Sequence, residues 1–200
     1  LLVDNRPEIP DRTAFILGRG PSPVPMLQES ARLLERWGAD FIAIPCNSAH
    51  VFIGEIELVV NVPLLNMLAL LGRKLSEEFP PGSPVGLLST TGALRAGIFD
   101  NYLSDFKIIK PAETVQNNLV MEAVYGETGI KKGGSLFTNR RKLLEAISLL
   151  QQEKPAAIIA GCTEVELALE KAEPDIPVFF PLDILADEIV RQAIGMETSG

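Results

Sequence analysis

The chain has 200 residues, enough for one sizeable domain or two small ones, and its 46% hydrophobic share is ordinary for a protein with a packed core. Acids outnumber bases 26 to 18, a net charge of −8, which argues against a nucleic-acid binder with a basic stripe; a pocket for a small anion needs only one or two local cations. No apolar run approaches the roughly 18 residues of a membrane span, and the opening LLVDNRPEIP lacks the basic region and apolar segment of a secretory signal.

That opening reads as a strand running into a loop, so the fold is expected to begin part-way, with an earlier strand missing. Residues 27–37 place apolar side chains at helical spacing, and Gly38 follows as a stop. Residues 39–45 are a short apolar run of strand length. Residues 46–58 read as a turn opening a helix, with Asn47 or Ser48 as N-cap. A second short strand falls in 61–67, and 76–84 is a polar, proline-rich loop. Residues 85–103 read as strand, Thr-Thr-Gly turn and helix. Residues 129–134, GIKKGG, form a glycine-rich loop carrying Lys131 and Lys132. A helix over 140–152, a strand over 156–161, a helix over 162–172, a strand over 176–181 and a closing helix over 182–195 complete the chain. Strands alternating with helices predict an α/β fold with mostly parallel sheets.

The two cysteines carry the strongest signal. Cys46 lies in IPCNSAH beside the chain's one histidine, and Cys162 lies in AGCTEVE. Aligned without a gap, Leu33-Leu34 falls on Leu149-Leu150, Ile42 on Ile158 and Asn47 on Thr163, with VPLLNM echoing IPVFFPLD downstream. A helix–strand–Cys–helix–strand unit used twice predicts two pseudo-symmetric lobes: residues 1–66, completed by the closing helix 183–200, and residues 67–182. Each cysteine then ends a strand where a helix begins, at the sheet edge where parallel α/β proteins bind ligands. Free N–H groups there would lower a thiol pKa, and those of Asn47, Ser48 and Ala49 could hold a carboxylate. Two thiols on opposite sides of a cleft suit stereoinversion, one removing a proton and the other returning one to the opposite face. The structural alternative is a pair of buried, inert cysteines. Reduced thiols point to the cytoplasm, and one histidine with two cysteines is too few soft ligands for a structural zinc, so no metal is expected. His50 reads as a packing or capping residue, and Trp37 and the phenylalanines as core. Arg12 reads as a loop arginine.

PCNSAH and GCTEVEL resemble the signature motifs of the aspartate/glutamate racemase family, which works without pyridoxal phosphate. NRPEIPDRTAFILGRG, LLSTTGALRAGIF and YGETGIKKGG are similar to the aspartate racemase branch, with Asp11-Arg12-Thr13 the segment that points to it. The resemblance implies two pseudo-symmetric lobes with Cys46 and Cys162 as the acid/base pair and no cofactor. It implies Arg12 and Lys131 as cations for substrate carboxylates, with Lys132 as a rival to Lys131. Asn47, Ser48 and Ala49 would bind one carboxylate, and Thr90, Thr91 and Thr163 would line the cleft. Ser48 stands where threonine is common. Glu164 stands where the glutamate racemase branch has histidine, which favours aspartate. The strand and glycine-rich loop with which the family opens have no counterpart before Leu1. The expected partners are a small acidic amino acid and a second copy of the chain. Alternatives are a hydantoin racemase, a maleate isomerase or a decarboxylase of the same superfamily, or a non-catalytic amino-acid-binding module.

Overall fold

In the computed structural model, which describes residues 1–195, helices and parallel strands alternate. The first part holds α1 (Arg12–Ile16), α2 (Val24–Arg36), β1 (Ile42–Ala43), a 3-10 segment (Asn47–Phe52), α3 (Ile53–Glu57), β2 (Leu64–Leu65) and α4 (Met67–Glu78). The second holds β3 (Pro84–Ser89), α5 (Thr91–Arg95), α6 (Ile98–Tyr102), β4 (Lys107–Ile109), α7 (Glu113–Val115), a π-helical segment (Gln116–Met121), α8 (Glu122–Tyr125) and a 3-10 turn (Ile130–Lys132). It continues through α9 (Leu136–Leu150), β5 (Ala157–Gly161), α10 (Thr163–Leu169), β6 (Val178–Phe179) and α11 (Pro181–Ala193). β1 pairs in parallel with β2, and a second parallel sheet runs β4-β3-β5-β6. The α/β class with parallel sheets is as the alternating pattern predicts.

The second sheet is covered on both faces. Along β5, Ile158 and Ala160 pack with Leu143, Ile147 and Val165 from α9 and α10, while Ala157 and Ile159 pack with Leu71, Leu75 and Phe99 from α4 and α6. Period-2 alternation between two cores explains why AIIAG reads as a continuous apolar run. A smaller core joins Ala31 of α2, Ile42 of β1 and Ile56 of α3.

The repeat survives at the level of hydrogen bonds. Ile42 N donates to the Pro63 carbonyl and Ile158 N to the Pro177 carbonyl, both at 2.9 Å. Cys46 and Cys162 come after β1 and β5 with near-identical extended backbones, φ −155° and −153°.

Several expectations are corrected. Residues 1–11 contain no strand, no described strand pairs with them, and Leu1 and Val3 are exposed. The N-cap after β1 is Cys46 itself, not Asn47 or Ser48, and the helix it opens begins as a 3-10 segment. The loop expected from residue 76 starts later, because α4 runs to Glu78 with Lys74 bridging Glu77 and Glu78 on its surface. Gly97, at φ 64°, breaks the expected single helix into α5 and α6. Trp37, expected in the core, is 52% exposed, and Phe137 is exposed as well. α1, β4, α7 and α8 have no counterpart among the expected elements; α1 is only five residues long and is started by Asp11, which accepts from Ala14 N at 2.7 Å. The closing helix α11 packs mainly on α4; of the expected range 183–200, residues 196–200 lie outside the described residues. Among the described residues no helix is long and apolar enough to cross a membrane.

Candidate active site

The turns after β1 and β5 bring both cysteines to one cavity of about 90 Å³. Of the residues expected at a site, Arg12, Cys46, Asn47, Ser48, Thr90, Lys131, Cys162 and Thr163 line it, joined by Asp11, Thr13, Tyr125 and Glu164. Arg12 is the first residue of α1 rather than a loop arginine, and its Nη1 donates to the Ile9 and Pro10 carbonyls at 3.2 and 3.0 Å. α1 rests on α5 without a spacer: a Cβ on Gly92 would come within 2.9 Å of the Thr13 backbone. That contact lets Thr13 Oγ1 donate to Thr90 Oγ1 at 3.1 Å, with Ser48 Oγ 3.4 Å from the same oxygen. Three hydroxyls from three separate segments thus form one row.

Two expected residues are placed elsewhere. Ala49 does not line the cavity; its N–H donates to the Cys46 carbonyl at 3.2 Å and so is committed within the turn. Thr91 faces a neighbouring cavity with Arg95 and Met121, and its hydroxyl accepts from Gln116 Nε2 at 3.3 Å. His50 uses both ring nitrogens internally: Nε2 accepts from Met67 N at 3.0 Å, so Nδ1 carries the proton toward the Cys46 carbonyl at 2.9 Å. Of the lysine pair, Lys131 turns inward and Lys132 pairs outside with Glu127 at 2.9 Å.

The charges inside the cavity are coupled. Lys131 Nζ lies 2.9 Å from Glu164 Oε1 and 5.3 Å from the centre of the Tyr125 ring. Burial alone would lower the Lys131 pKa, but the hydrogen bond and charge of Glu164 outweigh it and the net shift is upward, so Lys131 is a cation. The Cys162 thiol donates to Glu164 Oε2 at 3.0 Å. Burial is the largest influence on Glu164 and raises its pKa; the Cys162 and Lys131 contacts reverse this to a net lowering. Cys162, 7% exposed, is held well above the usual thiol range, first by burial and then by the Glu164 charge. The expected lowering of the thiol pKa by the turn's N–H groups is therefore overturned at Cys162. The Glu164 N–H and Lys131 do pull the other way, but more weakly. Tyr125, pushed upward mainly by burial, donates to Asp11 Oδ2 at 2.9 Å and ties α8 to the cap of α1.

Glu164→Gln tests this coupling. Removing the carboxylate is expected to lower the Cys162 pKa, because both its charge and its hydrogen bond favour the neutral thiol. Thiolate absorbance titrated in a Cys46→Ala background reads the shift; an unchanged pKa would leave burial as the whole cause.

Asp11, Thr13 and Tyr125 are lining residues that sequence reasoning does not place at the site, and Glu164 is noted there only as a departure from the glutamate racemase pattern. Asp11 and Tyr125 stand at the edges of the DRT and YGETGIKKGG segments, and Glu164 follows the second Cys-Thr. Their positions are visible in the chain, but their inward orientation depends on contacts between segments far apart in it.

Two thiols, two cations and the two carboxylates of Asp11 and Glu164 thus line one cavity of small-molecule size on a parallel α/β scaffold. The Asp/Glu/Hydantoin racemase model matches residues 1–189, and the chain belongs to that family. It is 25% identical over 171 residues to the broad specificity amino-acid racemase RacX of Bacillus subtilis, covering 85% of this chain and 72% of that protein. The aspartate racemase of Picrophilus torridus superimposes with a TM-score of 0.78 at 25% identity, over 94% of this chain and 77% of that one. The glutamate racemase of Francisella tularensis, solved with D-glutamate, shares the fold at TM-score 0.60 and 15% identity, over 88% of this chain and 68% of its own.

Proposed function

We propose that the chain interconverts the enantiomers of an acidic amino acid, aspartate first, by passing the α-proton between Cys46 and Cys162 without a cofactor. The observation that carries this reading is the presence of both thiols in the lining of one small cavity with Arg12 and Lys131. Arg12 and the Asn47–Ser48 segment would hold the α-carboxylate, and Lys131 the second carboxylate while sharing its charge with Glu164.

In one direction Cys46, as thiolate, takes the α-proton and leaves the electron pair delocalised into the α-carboxylate. Cys162, kept protonated by its surroundings, donates its proton to the opposite face of the same carbon. The products are the other enantiomer, a Cys46 thiol and a Cys162 thiolate, so atoms and charge balance. The reverse reaction starts from that second form, with Lys131 close enough to favour the Cys162 thiolate. The intermediate carries extra negative charge on its carboxylate, where fixed cations and N–H groups act most strongly in a water-poor cavity.

Incubation with each enantiomer of aspartate, glutamate and neutral amino acids, followed by chiral chromatography, tests the reading. Inversion of aspartate ahead of the others is expected. Faster inversion of neutral amino acids would favour a second reading, the broad specificity that the name of the Bacillus subtilis relative describes. No inversion of any amino acid would leave a binding module or another reaction of the family.

A further inference from the structure

Gln116 opens the π-helical segment, is buried, and lines neither cavity. Its Nε2 spends its two hydrogens on the two sides of Thr90, donating to the Ser89 carbonyl at 2.8 Å and to Thr91 Oγ1 at 3.3 Å. Met121, the last residue of that segment, grips the same turn, its Sδ accepting from Thr91 N at 3.3 Å. Five residues apart, Gln116 and Met121 would stand roughly 140° from each other around an α-helix of about 3.6 residues per turn. The wider π turn, closed by i→i+5 bonds, brings both to one side. From the opposite side, Ser89 Oγ donates to the Gly161 carbonyl at 2.5 Å, one residue before Cys162. Thr90 Oγ1, held between these anchors, accepts from Thr13 Oγ1 at 3.1 Å and from Ala93 N at 3.3 Å, which occupies both its lone pairs. Its one proton is left for Ser48 Oγ, 3.4 Å away, or for an oxygen of a molecule in the cavity. Stability alone does not account for this clamp. π turns are rare and occur mostly at functional sites. Gln116 Oε1 is buried with no hydrogen-bond partner among the described residues, which costs stability. Reversing the amide would set that oxygen against the Ser89 carbonyl, so the turn imposes the orientation.

We propose that Gln116 is a positioning residue that fixes the Thr90 hydroxyl as a donor toward the substrate carboxylate. This rests on the reading of the cavity as the substrate site. Gln116 does not reach the cavity itself. It holds the carbonyl before Thr90 and the hydroxyl after it, and so sets where Thr90 Oγ1 stands relative to Thr13 and Ser48. The Thr90 proton meets a carboxylate whose negative charge grows as the α-proton leaves, so the contact strengthens in the transition state. Displacing it lowers kcat more than it raises KM.

The test is a double-mutant cycle on aspartate inversion, read as kcat and KM in both directions, with thermal unfolding of each variant in parallel. Gln116→Met keeps the length and bulk of the side chain and removes both donors. Its kcat is expected to fall by about tenfold to a hundredfold with KM changed less, the scale of a misplaced group near the reacting atoms. Thr90→Val removes the hydroxyl and should show a similar loss. In the Thr90→Val background, Gln116→Met should cost little more, because the group it positions is already gone. A merely structural role would lower the melting temperature and give losses in kcat that multiply. Multiplying losses, or parental kinetics in Gln116→Met, overturn the proposal. If Gln116→Met fails to fold, Thr91→Val takes its place, since it removes one of the two anchors of the amide. It should lower kcat by about threefold to tenfold, the worth of one neutral hydrogen bond, and lose that effect in the Thr90→Val background. No effect alone, or the same effect in both backgrounds, overturns the proposal. Parental kinetics in Thr90→Val would remove Thr90 as a substrate contact and the proposal with it, leaving the racemase reading standing. A parental protein that inverts no amino acid would overturn that reading and the proposal together.

Discussion

Cys46→Ala and Cys162→Ala are each expected to abolish racemisation in both directions, a loss on the order of 10²–10⁴-fold or more for a missing acid or base. Inversion needs one group to take a proton and another to return it on the other face, so neither cysteine can substitute for its partner. Proton exchange need not vanish with inversion. Each variant keeps one thiol, which can remove the α-hydrogen from the enantiomer it faces and return a solvent deuteron to the same side. The two variants should therefore label opposite enantiomers of aspartate in deuterated water. Cys162 lies against Glu164 at 3.0 Å, so the rates need not be equal. NMR of α-deuterium incorporation into L- and D-aspartate measures both effects. Near-parental racemisation by either variant would remove that cysteine from the chemistry.

The next largest effects are expected at the two cations. Arg12→Ala removes a guanidinium held in place by the Ile9 and Pro10 carbonyls, leaving a substrate carboxylate without its cation. A rise in KM of about tenfold to a hundredfold is expected from the worth of a charge-assisted hydrogen bond. Lys131→Ala does two things. It removes a substrate contact, and it leaves Glu164 without its 2.9 Å partner beside Cys162. The Cys162 pKa should rise further, since Lys131 now lowers it, so kcat should fall together with the rise in KM. Lys132→Ala should change neither, because Lys132 is exposed and paired with Glu127. Steady-state kinetics in both directions check the split. A Lys132 variant as damaged as the Lys131 variant would mean that the Ile130–Lys132 turn presents the other lysine in the working enzyme.

Much of this arrangement is legible in the chain because two sequence periods repeat. β5 is visible as AIIAG since both its faces are buried, and the alignment of Ile42 with Ile158 carries through to matching hydrogen bonds at Pro63 and Pro177. Short elements are less legible. β1, β2 and β6 fall inside the expected strand ranges but shrink to two residues each, and α1, five residues long, is too short for periodicity to register. Trp37 reads as core by residue type, yet it follows α2 where the chain turns outward. In the site, motif segments locate the residues that line the cavity but not their protonation. The N–H groups after a strand suggest an activated thiol, whereas Cys162 is governed by burial and by a carboxylate two residues on, whose direction only the packed structure reveals. Ala49 illustrates the same limit: it belongs to the expected N–H cradle, but its N–H closes onto the Cys46 carbonyl.

The central claim is that the proton removed and the proton delivered belong to different thiols. Its most direct test is the first turnover of L-aspartate in deuterated water with the parental protein, stopped early and resolved by chirality and α-isotope. Two thiols predict that nearly every D-aspartate formed carries solvent deuterium at the α-carbon while the unconverted L-aspartate still holds its original hydrogen. D-aspartate that retains the substrate's own α-hydrogen, or L-aspartate that gains deuterium as fast as product appears, would show one group working on both faces and contradict the pairing of Cys46 with Cys162.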